Sequence, residues 1–285
     1  MIRIDSLSHT YPRQKEPALD SFSLELAEGA ITGFIGPNGS GKTTLFKALA
    51  GRILPSSGQV LIDGRPAGRE ELIAHCLYVG DDKDLSPVSA KNALLYARCR
   101  PTWDEALFTR LAQRFELSLK GTLSRRSLGQ RALFTAALGL ASGAPITLLD
   151  EPSGNLDVPT RLALAEEIIR VNAEAEGART ILISSHLVSE LESLIEHVVV
   201  LKKGRLVTAM PAEELRSAAI ALVGNPTTIR AALASEEKTR ILGRLAEIRI
   251  VGHTPELLES LSLSGIEIQP LSFQDAFVSL ISEEK

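Results

Sequence analysis

A glycine-rich segment near the start of the chain has the residues of a loop that binds phosphate. Residues 36–43 read Gly-Pro-Asn-Gly-Ser-Gly-Lys-Thr, which fits the pattern G-x-x-x-x-G-K-[S/T]. Glycines let the backbone curl so that successive N–H groups face phosphate oxygens. Lys42 adds a full positive charge, and the Thr43 hydroxyl is a suitable ligand for Mg²⁺. A chance match in a chain of this length is on the order of 1%, so the segment predicts a nucleotide site.

The elements on either side are those that such a loop requires. The apolar run Ile31–Ile35 predicts a short buried strand, and residues 43–50 predict a helix followed by Gly51 at its C-terminal cap. The N-terminus of that helix adds a partial positive charge toward a bound anion. The residues expected to contact nucleotide phosphates are Gly36, Pro37, Asn38, Gly39, Ser40, Gly41, Lys42, Thr43 and Thr44.

Two adjacent carboxylates follow a second apolar run. Residues 146–149 read Ile-Thr-Leu-Leu, and Asp150 and Glu151 come directly after them. In a parallel α/β sheet, ligands bind at the carboxyl ends of the strands. Asp150 would hold Mg²⁺ through water, and Glu151 would be the general base for the attacking water. An acidic pair alone could equally cap a helix; together with the glycine-rich loop it predicts nucleotide hydrolysis.

Three segments together resemble the nucleotide-binding subunits of ATP-binding-cassette transporters. They are residues 35–45, IGPNGSGKTTL; residues 148–157, LLDEPSGNLD; and residues 183–186, ISSH. The resemblance runs through residues 1 to about 212. It implies an ATPase coupled to transmembrane transport, with ATP and Mg²⁺ as cofactors. It also implies that two such domains enclose two Mg-ATP molecules head to tail.

The same resemblance implies roles for three further residues. His186 would contact the γ-phosphate as a catalytic residue, Asp157 would cross the dimer interface, and Tyr11 would stack on adenine. The alternatives are a structural or solvent-facing histidine and an aromatic residue at a strand end.

The signature sequence of the family has two candidate registers in this chain. Leu123-Ser124 begins like it but continues without a glycine, whereas Ser127, Gly129 and Gln130 place a hydroxyl and a glycine at a helix start. A helix start can present N–H groups to a partner's γ-phosphate, so the resemblance favours the register at Ser127. Arg126 and Leu128 depart from the usual leucine and glycine.

A second departure concerns a metal ligand. Residues 78–81 resemble the segment where the family usually has glutamine, but Asp81 stands there, with Asp82 as the neighbouring candidate. A carboxylate is also a good ligand for a hard cation. The resemblance therefore implies a metal role for Asp81, and an acidic turn is the alternative.

Composition limits the other classes of function. The net charge is −4 and aromatic residues are 4% of the chain, so a nucleic-acid partner is not expected. Cys76 and Cys99 have no metal-ligand spacing, which favours a reduced compartment. The longest charge-free run, residues 132–149, contains Gly139, Gly143 and Pro145 and is interpreted as a helix, a turn and a strand rather than a membrane span. A cytoplasmic protein is expected, peripheral at the inner face of the membrane through permease subunits.

The predicted fold is α/β: a P-loop NTPase with a mostly parallel central sheet, an antiparallel β subdomain and a helical subdomain at about 84–138. Residues 1–212 would form the ATPase domain and residues 213–285 a small C-terminal α/β accessory domain. That accessory domain would stabilise the dimer or receive a regulatory signal, unless it is a folded spacer. The alternation of Phe22, Leu24 and Leu26 with polar neighbours predicts a β-rich opening of the chain. Helices are expected at residues 103–117, with Thr102 as the candidate cap, and at residues 187–195, 227–234 and 255–261.

The predicted function is the ATP-hydrolysing motor subunit of a membrane transporter. Its partners would be a second cassette, identical or related, and transmembrane permease subunits. Residues 101–104, 141–145 and 271–277 resemble the subgroup that exports drugs, antibiotic peptides or lipids. The alternatives are a soluble cassette protein of translation or DNA repair and a small-molecule P-loop kinase, which would have no use for Ser127, Asp157 and His186.

Overall fold

The computed structural model describes residues 2–80, 88–186, 188–225, 227–229, 240–242, 245–251 and 266–282. The chain forms two compact units, Met1–Ala209 and Met210–Lys285. The strands up to the end of the first unit are β1 Ile2–His9, β2 Leu19–Glu25, β3 Ile31–Ile35, β4 Ser57–Ile62, β5 Arg65–Pro66, β6 Cys76–Val79, β7 Ile146–Asp150, β8 Thr180–Ser185, β9 His197–Lys202 and β10 Arg205–Pro211. The helices of this unit are α1 Lys42–Leu49, α2 Arg69–His75, α3 Ala90–Ala97, α4 Glu105–Arg114, α5 Leu128–Ala141, α6 Val158–Glu174 and α7 Val188–Leu191.

The central sheet of the first unit has six strands in the order β10-β9-β3-β8-β7-β6. The pairs β9/β3, β3/β8, β8/β7 and β7/β6 are parallel. Every residue of β3, β7 and β8 is buried, as expected of parallel strands with helices on both faces. This arrangement confirms the predicted mostly parallel sheet. It places the carboxyl ends of β3, β7 and β8 at the same edge of the sheet.

A second, antiparallel sheet has the strand order β2-β1-β4-β5. Along β2, buried Leu19, Phe22 and Leu24 are separated by exposed or half-buried residues, because one face packs on the core and the other meets water. This sheet confirms the β-rich opening predicted from the alternating pattern. Its β1 leads directly to Tyr11.

Helices α3, α4 and α5 lie between β6 and β7 along the chain. The N-cap of α4 is Asp104, whose Oδ1 accepts a hydrogen bond from the Leu107 N–H at 2.9 Å. The prediction of Thr102 as the cap was therefore wrong. Its hydroxyl instead donates to the Ser142 carbonyl oxygen at 2.7 Å, so it satisfies a carbonyl at the end of α5.

Arg179, which is buried just before β8, binds carbonyl oxygens at the C-terminal end of α5. Its guanidinium donates to the carbonyl oxygens of Leu140 (2.6 Å) and Gly139 (3.0 Å), and to the Thr147 hydroxyl of β7 (2.8 Å). Burial lowers the pKa of Arg179 to about 10, which leaves it charged at neutral pH. The C-terminal carbonyls of a helix have no partner within the helix, so this cation joins α5 to the central sheet.

The second unit contains α8 Ala212–Ala218, β11 Ala219–Gly224, β12 Arg240–Leu242, β13 Leu245–Val251, β14 Glu267–Pro270 and α9 Phe273–Ser282. Its sheet has the order β12-β13-β11-β14 and its strand pairs are antiparallel. The predicted helix at 255–261 and most of the one at 227–234 lie outside the described residues. In the first unit, the helix expected over 187–195 is limited to Val188–Leu191.

Across the described ranges, no helix combines the length and the apolar character that crossing a membrane requires. The charge-free run 132–149 divides between α5, a connection and β7, as the glycines and the proline within it predicted.

Candidate nucleotide-binding site

The loop between β3 and α1 has a conformation that requires its glycines. Gly39 and Gly41 have φ values of +80° and +106°, in the left-handed region that other residues rarely adopt. A Cβ on Gly41 would also lie 2.5 Å from the Ala18 carbonyl oxygen. The glycines therefore let the loop curl tightly at the N-terminus of α1, where N–H groups are free to bind an anion.

Lys42 is buried at the first position of α1, with 6% of its surface exposed. Its Nζ donates to the carbonyl oxygens of Gly36 at 2.6 Å and Pro37 at 3.4 Å. Burial lowers the pKa of Lys42, and the nearby carboxylates of Glu151 and Asp150 act in the opposite direction. The ammonium group is thus held inside the loop and close to both acidic residues.

The loop and α1 also contribute two buried residues with hydroxyl groups, Ser40 and Thr44. Ser40 is buried, and its Oγ has no hydrogen-bond partner among the described residues. Thr44 Oγ1 lies 3.3 Å from the Tyr11 hydroxyl. The unpartnered Ser40 hydroxyl is a polar group that a ligand could satisfy, since an unpaired buried polar atom is costly.

Asp150 ends β7 as a buried carboxylate with a donor on each oxygen. The Tyr78 hydroxyl donates to Oδ2 at 2.8 Å, and the Ser184 hydroxyl donates to Oδ1. Tyr78 belongs to β6 and Ser184 to β8, the two strands beside β7. The carboxylate is therefore held from both neighbouring strands.

Glu151, the next residue, is in a different environment. Its φ is +52°, a conformation that costs a non-glycine residue on the order of 1–3 kcal/mol and is commonest at functional sites. Its N–H donates to the Ser184 carbonyl oxygen at 3.1 Å. Its Oε2 lies 2.7 Å from His186 Nδ1, and the two side chains are 32% and 46% exposed. The turn after β7 thus directs Glu151 toward solvent and His186, while Asp150 stays inside.

A cleft of about 690 Å³ lies beside the phosphate loop and Glu151. The residues that line it are Tyr11, Gln14, Lys15, Glu16, Pro17, Ala18, Asn38, Gly39, Ser40, Gly41, Lys42, Thr43, Thr44 and Glu151. The structure therefore brings Tyr11, the phosphate loop and Glu151 together in one cavity. Eight predicted site residues within the described ranges are not in its lining: Gly36, Pro37, Ser127, Gly129, Gln130, Asp150, Asp157 and His186.

Ser127, Gly129 and Gln130 lie at the start of α5. Ser127 is the N-cap, and its Oγ accepts from the Gln130 N–H at 3.2 Å. A Cβ on Gly129 would lie 2.7 Å from the Asn155 carbonyl oxygen, so a glycine is needed where α5 approaches the segment after β7. Leu128 is 53% exposed. This helix start faces solvent.

Asp157 caps α6 in the same way. Its Oδ1 accepts from the Thr160 N–H at 3.0 Å, and the hydrogen bonds from Thr160 lower the pKa of Asp157. Asp157 is exposed. Cap and interface residue are compatible roles, because only one of the two carboxylate oxygens is used by the helix.

Asp81 lies outside the described residues, so its predicted metal role stays a prediction. Two neighbours of Asp150, Tyr78 and Ser184, were not predicted as site residues. A signal for Ser184 was present, because it is a hydroxyl directly after the apolar residues 181–183 of β8. The strand Cys76–Val79 was not predicted, and without it Tyr78 could not be placed beside Asp150.

The oxygen donors present are of the kind that Mg²⁺ prefers. The hydroxyl of Thr43, which is exposed in the cleft, and the carboxylate of Asp150 are hard ligands. Both oxygens of Asp150 keep unused lone pairs after accepting one hydrogen bond each. These residues therefore fit a magnesium ion bound with a nucleotide.

Comparison with known proteins agrees with this site. Residues 19–154 match the model of the ABC transporter family. The chain is 31% identical over 298 residues to the energy-coupling factor transporter ATP-binding protein EcfA of Methanothermobacter thermautotrophicus, covering 99% of this chain and 86% of that protein. It is 27% identical to the Nod factor export ATP-binding protein I of Paraburkholderia xenovorans, covering 99% of this chain and 97% of that protein. It is 35% identical to the sulfate/thiosulfate import ATP-binding protein CysA of Caulobacter vibrioides, covering 67% of this chain and 59% of that protein.

A solved structure supports the fold. The dimeric structure of an ATP-binding cassette in a post-hydrolysis state, bound to ADP and Pi, has a TM-score of 0.64 and 23% identity, covering 74% of this chain and 99% of that chain. The phosphate loop, the acidic end of β7 and these relatives together define an ATP-hydrolysing cassette. The chain belongs to the ABC transporter family, as one of its ATP-binding subunits.

Proposed function

We propose that the chain binds Mg-ATP in the cleft between Tyr11 and Glu151 and hydrolyses it as half of a head-to-tail dimer. The observation that carries this proposal is the convergence of a buried cation, a buried carboxylate and a half-buried carboxylate where α1 begins and β7 ends. Lys42 lies close to Asp150 and Glu151, and Glu151 lies 2.7 Å from His186.

Binding would rest on the loop and on α1. Lys42 would exchange its bonds with the Gly36 and Pro37 carbonyls for stronger, charge-assisted bonds to phosphate. The N–H groups of Gly39, Gly41 and the first turn of α1 would donate to phosphate oxygens. Thr43 and Asp150 would hold Mg²⁺, which when bound neutralises phosphate charge. Tyr11, which also lines the cleft, would stack on adenine.

Hydrolysis would rest on Glu151. The turn after β7 places its carboxylate in the cleft lining, where it can accept a proton from the attacking water. His186 contacts Glu151 through Nδ1, so it can orient this carboxylate and contact the γ-phosphate. Asp150, buried and hydrogen-bonded twice, is less able to serve as the base.

A second subunit would complete the site. Ser127, Gly129, Gln130 and Asp157 are absent from the lining of the chain's own cleft. The start of α5 is a solvent-facing helix N-terminus, which suits a phosphate. We infer that it faces the γ-phosphate bound to the partner, and that Asp157 lies at the same interface.

We further propose that the subunit drives export. The match to a protein named for export covers 99% of this chain, whereas the match to one named for import covers 67%. Residues 101–104, 141–145 and 271–277 also resemble exporter cassettes. The permease subunits would be multi-span membrane proteins, and the cassette would act at the inner face of the membrane.

Detergent extraction of membranes from cells that express the tagged chain tests this assignment. We expect a protein with several hydrophobic spans to co-purify and the complex to hydrolyse ATP. In vesicles of inverted orientation, ATP should then drive substrate inward. A chain recovered only from the soluble fraction, without a membrane protein, would contradict the transporter assignment, whereas ATP-driven movement in the other direction would contradict export alone.

A further inference from the structure

Tyr78 has no role in the function described so far, although its hydroxyl contacts the acidic end of β7. Its side chain is buried in β6, with 6% of the residue exposed. The hydroxyl donates to Asp150 Oδ2 at 2.8 Å, while Ser184 donates to the other oxygen. Tyr78 and Ser184 therefore fix the plane of this carboxylate together.

The register of the sheet explains why a tyrosine reaches Asp150. Tyr78 pairs with Leu148 in the parallel β6/β7 ladder, two residues before Asp150. Residues two apart in a strand share a face of the sheet, so Tyr78, Leu148 and Asp150 point to the same side. A long side chain with a terminal donor can span the offset, and phenylalanine would lack the donor.

Contacts on the ring and at the hydroxyl hold the side chain in this position. The Arg52 guanidinium lies 4.7 Å from the ring centroid, and Lys47 Nζ lies 6.0 Å from it, within the range of cation–π attraction. A Cβ at Gly80 would overlap the Tyr78 hydroxyl. The glycine therefore leaves room for the hydroxyl, and the two cations restrain the ring.

We propose that Tyr78 is a positioning residue for Asp150, which it orients to hold the magnesium ion of Mg-ATP. This inference rests on the proposed metal role of Asp150. Groups that hydrogen-bond a metal ligand typically change metal affinity by about 10- to 100-fold when they are removed. Tyr78 would not contact nucleotide itself.

The test is a Mg²⁺ titration of the full chain with a fluorescent ATP analogue, with metal-free nucleotide affinity measured separately. In Tyr78→Phe we expect the Mg²⁺ concentration at half-saturation to rise by roughly tenfold, while metal-free affinity stays within about twofold. Tyr96→Phe is the matched control, because Tyr96 is 69% exposed on α3, and it should change neither value. A general structural defect would lower metal-free affinity as well.

A second variant perturbs the contact between Tyr78 and Asp150 without changing either residue. Gly80→Ala should displace the hydroxyl and reproduce the shift in Mg²⁺ dependence, and it should add little in a Tyr78→Phe background because the hydroxyl is already gone. Full additivity, or an unchanged Mg²⁺ dependence in a folded Tyr78→Phe, would overturn the inference.

Asp150→Asn separates this inference from the function on which it rests. If Asp150→Asn shifts the Mg²⁺ dependence and Tyr78→Phe does not, the positioning role fails alone. If Asp150→Asn also has no effect, the metal role of Asp150 fails, and the inference fails with it.

Discussion

The phosphate-loop cleft and the start of α5 are both proposed to contact ATP, but they differ in how complete they are within one chain. In the cleft, the charged groups already have partners: Lys42 donates to two carbonyls, and Glu151 contacts His186. At the start of α5, Ser127 accepts its cap bond from the Gln130 N–H, and Leu128 is exposed. The cleft is organised before ATP arrives, whereas the helix start faces solvent.

The two ends of α5 show the same contrast. Its C-terminal carbonyls accept from Arg179 and Thr102, which join the helix to the rest of the unit. Its N-terminus is capped by Ser127 and faces solvent. A helix fixed at one end and exposed at the other can deliver its N-terminus to a partner without distortion of the core.

The largest effect should come from the cleft, through Glu151→Gln. This change keeps the shape of the side chain but removes the base, so hydrolysis should fall by roughly 10²–10⁴-fold while ATP binding survives. Phosphate release at saturating ATP measures the rate, and light scattering should detect a dimer held by uncleaved ATP. Glu70→Gln, an exposed glutamate in α2, is the control. Turnover at the parent rate would show that Glu151 is not the base.

Lys42→Ala should have the next largest effect, again in the cleft. Removing the charge that faces the outer phosphates should weaken Mg-ATP binding by roughly 100-fold, since bonds to charged groups contribute about 1.5–3 kcal/mol each. Calorimetry of the purified protein measures the affinity. Lys91→Ala, an exposed lysine on α3, should bind as the parent does. An unchanged affinity in Lys42→Ala would contradict the assignment of the loop.

Ser127→Ala tests the start of α5 and should have a smaller effect than the two changes in the cleft. We expect ATP binding by a single subunit to be unchanged and hydrolysis to fall by about tenfold, because one bond to the partner's phosphate is lost. Ser89→Ala is a matched control, since Ser89 caps α3 through the same kind of bond to Asn92.

Both serine changes should lower the free energy of unfolding by about 1 kcal/mol, measured by urea denaturation. If Ser89→Ala reduces hydrolysis as much as Ser127→Ala does, the loss reflects the cap and not contact with the partner.

The smallest effect is expected from removal of the second unit. A chain truncated after Pro211, the last residue of β10, should bind Mg-ATP within about twofold of the full chain, because the whole cleft lies in the first unit. Its dimerisation or its coupling to the permease should weaken if the second unit has the proposed accessory role. A truncated chain that is folded by circular dichroism but does not bind ATP would contradict the division proposed for the chain.

Much of the cleft was predictable because its chemistry lies in contiguous residues. The phosphate loop needs glycines, a lysine and a hydroxyl in one short segment, and residues 36–43 contain them in order. The alternating and continuous apolar runs likewise predicted β2, β3 and β7. The cap of α4 was assigned wrongly to Thr102, because Thr102 and Asp104 are both good cap residues and only the backbone geometry distinguishes them.

The sequence by itself determined the phosphate loop, the acidic pair and the strands and helix that carry them, since each depends on local residue order. Only the tertiary structure decided which distant residues hold these groups. Tyr78 and Ser184 reach Asp150 because the sheet places β6 and β8 on either side of β7. Arg179 reaches the end of α5 for the same kind of reason. The order of strands in a sheet depends on how the whole chain packs, and no local pattern of residues encodes it.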